Sequence, residues 1–184
     1  QGIFQANPGD WEAGWRTSMS CYFIGIRLTK DSDEKKKIHT EGRDAGRAAL
    51  AITSNCATCH FWTAINMVLY GDEMGSFTMY FSLSEIEQHL KETIRLEPAY
   101  AYGGAYRVLG MIQQKLPGIL GGDNDQARLY FEQAIGVAPE EPLNYWFLAK
   151  LLQEEMGDPE GAIVFANKAV NVPPPSPDSL EATD

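Results

Sequence analysis

"ARLYFEQAIGVAPEEPLNYWFLAKLL", residues 127–152, decides how the rest of the chain is read. Ala127, Phe131 and Ala134 follow one another at spacings of four and three, and Pro139 comes five residues later. Apolar positions three and four apart share one face of a helix, and a proline cannot continue it. Beyond the proline, Tyr145, Leu148, Ala149 and Leu152 start the same period again. The stretch therefore predicts two helices joined by a proline-closed turn.

Working outward, the unit repeats. Upstream, Tyr106, Leu109 and Gly110 supply the first helix that precedes Ala127, while Ala162, Ala166 and Ala169, closed by Pro174, supply the second helix that follows Tyr145. A more divergent copy has Trp62, Ile65, Asn66 and Leu69, then Ile86, Leu90 and Pro98. Pro98 to Pro139 is 41 residues and Pro139 to Pro174 is 35, against a tetratricopeptide period of about 34. Before these, "EGRDAGRAALAITSN" reads as the second helix of a still earlier copy. Small residues at Ala127, Ala134, Ala162 and Ala169 allow close helix approach, and the aromatic and leucine positions fill the groove between successive pairs. The expected fold is all-α: tetratricopeptide-like antiparallel helix pairs stacked in a solenoid, spanning 31–172. Residues 1–30, with Trp11, Trp15, Cys21, Tyr22, Phe23 and Ile26, are expected to cap the first pair, and 173–184 to form an extended proline-rich tail.

The middle unit carries a longer connection, "QQKLPGILGGDNDQAR". Pro117 and Gly118 end one helix, Gly121-Gly122 permit a tight path, and Asp123, Asn124 or Asp125 caps the next. Its glycine spacing does not match a phosphate-binding loop, so a capped structural loop is expected.

The chain has 184 residues and a formal net charge of -10, with 44% hydrophobic and 22% charged residues. That composition suits a globular domain, and the acidity disfavours nucleic acid and anionic membranes as partners. The lysine run at 35–37 is bracketed by Asp31, Asp33, Glu34 and Glu41 and reads as a solvated helix start. No apolar run approaches the roughly 18 to 20 residues of a membrane-spanning helix. The chain starts at Gln1 rather than Met, which suggests an exported, mature form in the periplasm or outside the cell.

One motif asks for chemistry. In "SNCATCHFW", Cys56, Cys59 and His60 have the Cys-x2-Cys-His spacing of a covalent c-type haem. There the thiols add to the haem vinyl groups and the histidine becomes an axial ligand of the iron. With Thr53–Asn55 as a cap, the three residues would fall on the first turn of one helix. The second axial ligand is left open: His39, His89 or a methionine, with Met67, Met74 and Met79 nearest in sequence, although periodicity sends Met67 into the core. Three other readings stand beside haem c: a redox dithiol at a helix N-terminus, a zinc site completed by Cys21 or a distant histidine, and a structural pair with a disulfide to Cys21. Catalysis has little support. Cys59 and His60 are adjacent and diverge, and Glu140-Glu141 and Glu154-Glu155 sit in polar helix ends. The protein is expected not to be an enzyme.

The run from "EPAYAYGGAYRVLGMIQQKLPGILGGDNDQARLYFEQAI" through "APEEPLNYWFLAKLL" and "GDPEGA" resembles the T-component proteins of TRAP-type transporters. The similarity spans about Ala45 to Val172 and is sharpest at Tyr106-Arg107, Leu109-Gly110 and Pro117 to Asp123. The resemblance implies a periplasmic tetratricopeptide scaffold that associates with a solute-binding protein and oligomerises. Two functions follow. One is electron transfer or assembly through a haem on Cys56, Cys59 and His60. The other is a haem-free scaffold that binds a protein partner on a concave face lined by Asn66, Tyr106, Asn144 and Tyr145.

Overall fold

The structure, a computed structural model, describes residues 9–173, excepting the side chains of 76–80. Pro174, the tail beyond it and the side chain of Met79 lie outside the described residues. Among the described residues there are α-helices and no strands. The chain divides into two compact units at Tyr100/Ala101.

The first unit holds α1 (Trp11–Phe23), α2 (Ser32–Ile52), α3 (Ala57–Met74) and α4 (Ser76–Leu96), with a π-helical turn at Ile24–Leu28. The second holds α5 (Gly104–Lys115), α6 (Asn124–Val137), α7 (Pro142–Glu154) and α8 (Pro159–Asn171), with a 3-10 turn at Gly118–Leu120. Within each unit, consecutive helices pack as hairpins, and the first helix of one hairpin also touches the first helix of the next: α1 with α3, and α5 with α7. That is the tetratricopeptide-like arrangement expected. Trp11–Phe23, expected as a cap, is a helix paired with α2, so the half-copy at residues 41–55 has its first helix after all.

Local chemistry accounts for the boundaries. The side chains of Asp10, Asp31, Asp123, Glu141 and Asp158 each accept a backbone N–H in the first turn of α1, α2, α6, α7 and α8. Pro142 and Pro159 occupy first-turn positions that need no N–H donor. Helices α4, α6 and α8 stop at Leu96, Val137 and Asn171, and the next residues, Glu97, Ala138 and Val172, leave the helical region because a proline follows each. In the long connection, Gly121 has φ +94°, and a Cβ on Gly122 would strike the Leu116 carbonyl, so both glycines are required. Asp123 is the cap, accepting from the N–H groups of Asp125 and Gln126.

In the second unit the core gathers Ala127, Phe131, Leu148, Leu151, Leu152 and Ala162, with Met111, Phe147 and Phe165 packed around it. Ala134 is fully buried as well. On α8 only Ala162 is buried, while Ala166 is exposed and Ala169 half-buried. This helix ends the described stack and has one packed face.

Candidate functional site

The connection between α2 and α3 carries the Cys-x2-Cys-His motif. Thr53 ends α2 in an extended conformation, and Ser54 and Asn55 are exposed. Cys56, rather than Thr53–Asn55, caps α3, and its Sγ accepts the N–H of Cys59 at 3.1 Å. The two cysteines form a disulfide with each other. Both are buried against Ala49, with Trp15 and Leu50 alongside. Cys21, on α1, is a separate buried thiol that joins no disulfide. Burial, reinforced by the Glu41 carboxylate, pushes its pKa up to about 11.

His60 points across to α4. Its Nε2 lies 3.0 Å from the Ser54 carbonyl and its Nδ1 2.8 Å from Nδ1 of His89. A carbonyl only accepts, so Nε2 of His60 carries the proton and, in the neutral ring, Nδ1 accepts from His89. His89 then turns Nε2 toward Glu85, 3.7 Å away, and Glu85 is itself held by both Nε and Nη2 of Arg47. Burial first, then the neighbouring His60 and Arg47, lowers the pKa of His89, with Glu85 pulling the other way.

This geometry does not fit a covalent haem c. The sulfurs are bonded to one another rather than free for thioether bonds, they face a packed wall of side chains, and both nitrogens of His60 are engaged. The candidates for a second axial ligand are dispersed. His39 is buried and bonded to Asn66, Met67 lies in the core and Met74 is exposed at the end of α3, while His89 partners His60 directly. A disulfide from this motif to Cys21 and a zinc cluster fare no better: among the described residues no group of three or more metal-ligating side chains converges.

The inner-face residues also sort differently from expectation. Asn66 and Asn144 are fully buried rather than displayed. Nδ2 of Asn66 donates to the carbonyls of Ser18 and Trp62, and its Oδ1 receives His39. Asn144 holds the entry to α5, where Ala101 and Tyr102 have φ of 50° and 53°. Nδ2 of Asn144 donates to the carbonyls of Tyr102, Ala134 and Ala138, and its Oδ1 accepts from Arg107, which also donates to the carbonyls of Ala101 and Tyr102. Left-handed non-glycine residues cost about 1–3 kcal/mol each, and this network offsets that cost. Tyr106 and Tyr145 are half-buried. Reading the sequence for helical stripes missed the residues that α7 does display. Leu143 and Trp146 are 49% and 47% exposed, with the Lys150 ammonium 5.5 Å from the Trp146 ring centre. Their signal was apolar side chains at 143 and 146, off the buried stripe of 144, 148, 151 and 152.

The model of one family, described as regulator of microtubule dynamics protein 1-3, matches residues 3–184. The chain belongs to that family. Two solved structures share the fold of this regulator of microtubule dynamics family member. The crystal structure of MamA aligns with a TM-score of 0.64 at 15% identity, covering 91% of this chain and 80% of that one. The thermophilic TPR protein TTC0263 of Thermus thermophilus aligns with a TM-score of 0.63 at 20% identity, covering 94% and 79%. No curated protein matches the chain. The family match and the two structures bear out the tetratricopeptide-like fold that the resemblance to transporter T-components implies, and nothing more of that resemblance.

Proposed function

We propose that the protein is a non-enzymatic scaffold that binds a protein partner on the displayed face of α7. The observation that carries this is the exposed Leu143–Trp146–Lys150 surface on the first helix of its hairpin. An exposed tryptophan with a cation 5.5 Å from its ring centre, beside an aliphatic neighbour three residues away, offers the kind of area that dominates protein interfaces. The family description, regulation of microtubule dynamics, also points to a protein rather than a small molecule as the object of binding. A net charge of -10 favours partners with basic surfaces.

The test is affinity capture from the native host, identification of the partner, and titration calorimetry with purified components. Trp146→Ala is expected to weaken binding by at least about tenfold, the range of an interface anchor, while leaving the melting temperature unchanged. Equal affinity for both proteins would remove α7 from the interface. Capture of a solute-binding protein would favour the transporter-accessory role that the resemblance implies, and recovery of the chain alone as an oligomer would favour self-assembly.

A further inference from the structure

We propose that Cys56 and Cys59 are a reversible dithiol–disulfide couple that exchanges with an external dithiol. Three features of the site carry this. First, the bond closes a ring of only four residues at the start of α3. It links no two helices, and a short loop gives a cross-link little to restrain. Packing of Ala49 and Leu50 already holds α2 against this turn. Second, the Cys56 sulfur is the cap of α3 and accepts the Cys59 N–H. Negative charge left on that sulfur after the bond opens is therefore met by a hydrogen-bond donor and by the positive end of the helix. Third, the two cysteines differ in their place relative to the exposed linker. Cys59 is fully enclosed, whereas Cys56 retains 6% exposure and follows the exposed Ser54 and Asn55. In this proposal the linker yields to admit an incoming thiolate to Cys56 rather than to Cys59. Cys21, buried on α1 with its thiol held protonated, stands outside the exchange.

The chemistry is two successive exchanges. A thiolate of the external dithiol attacks Sγ of Cys56. The Cys56–Cys59 bond breaks, and Cys59 departs with the bonding pair and takes up the proton that the attacking thiol gave up. The reductant's second thiol loses its proton and attacks its own sulfur in the mixed disulfide. Cys56 is released as a thiolate against the Cys59 N–H and is then protonated. In balance, the protein disulfide gains two electrons and two protons, and the dithiol becomes a disulfide.

The experiment equilibrates the full chain in mixtures of reduced and oxidised dithiothreitol without denaturant, quenches with acid, and counts alkylated cysteines by mass spectrometry. The expected result is a single two-electron curve, the same from either direction, with unchanged helical circular dichroism. In the reduced protein, iodoacetamide should label Cys56 at least about tenfold faster than Cys59 or Cys21, following thiolate character and access. Cys59→Ser should trap a mixed disulfide with oxidised glutathione at Cys56, and Cys56→Ser should not. A bond that opens only in denaturant, or equal labelling of Cys56 and Cys59, would overturn the proposal. So would an intact mass carrying covalent haem, with one titratable thiol instead of three after denaturing reduction. Should Cys59→Ser misfold, the wild-type curve and labelling rates decide alone.

Discussion

His89 resists protonation, first because it is buried and then because His60 and Arg47 lie beside it. One proton on Nε2 leaves the Nδ1 hydrogen bond to His60 intact and turns the ring's charge toward Glu85. The folded pKa of His89 lies below that of an unfolded histidine, about 6.5. The stability tied to this shift is fully present above about pH 6.5 and is lost as pH falls below it, because the unfolded chain binds the proton first. Between pH 7.5 and 5.5 the wild type should lose more in melting temperature than His89→Gln, measured by circular dichroism. Parallel losses would mean that the pair carries no such linkage.

At the scale of elements, α2 and α3 meet through a polar seam. Gly42 and Gly46 on α2 face Asn66 and Thr63 on α3; a Cβ at Gly42 would lie 2.5 Å from the Asn66 amide, and one at Gly46 would strike Thr63 Oγ1. Thr63 donates to the Cys59 carbonyl and Asn66 to the Ser18 carbonyl, so neither side chain is free to withdraw. Two effects oppose each other in Gly46→Ala. Helix propensity alone would stabilise by about 1 kcal/mol, while overpacking a closed seam costs about 1–3 kcal/mol. Because Thr63 is fully buried, the second should win, and urea unfolding should show a less stable protein. Adding Thr63→Ala should cost less than the two changes summed, the signature of a direct contact. A stabilised Gly46→Ala would show that the seam has room.

Across the whole molecule, 25 acidic residues face 15 basic ones. Several of the bases are already committed, as in Lys35–Glu73, Arg47–Glu85 and Arg128–Glu132. The acidic surplus therefore repels itself, most strongly at low ionic strength, where the screening length reaches about 30 Å against about 8 Å at physiological salt. The melting temperature should rise as sodium chloride is raised from about 10 to about 150 mM, over which this screening length falls. A fall would show that the ion pairs outweigh the net repulsion.

The all-α class, the proline-closed hairpins and several helix ends were legible in the chain because they rest on local rules. Apolar spacing selects a helix face, proline stops a helix, and aspartate caps the next one. The same rules placed Ala127, Phe131 and Leu148 in the core and singled out Cys56, Cys59 and His60 as a candidate site. What they could not supply was the third dimension of that site. Whether two cysteines meet a cofactor or each other depends on what lies over them, and here Ala49, Leu50 and Trp15 come from other helices. His89 reaches His60 from 29 residues away only because α3 and α4 fold back as a hairpin. Asn66 and Asn144 look like surface polar residues in a one-dimensional stripe. Tertiary structure makes them interior, since buried carbonyls of neighbouring segments need donors and these amides provide them.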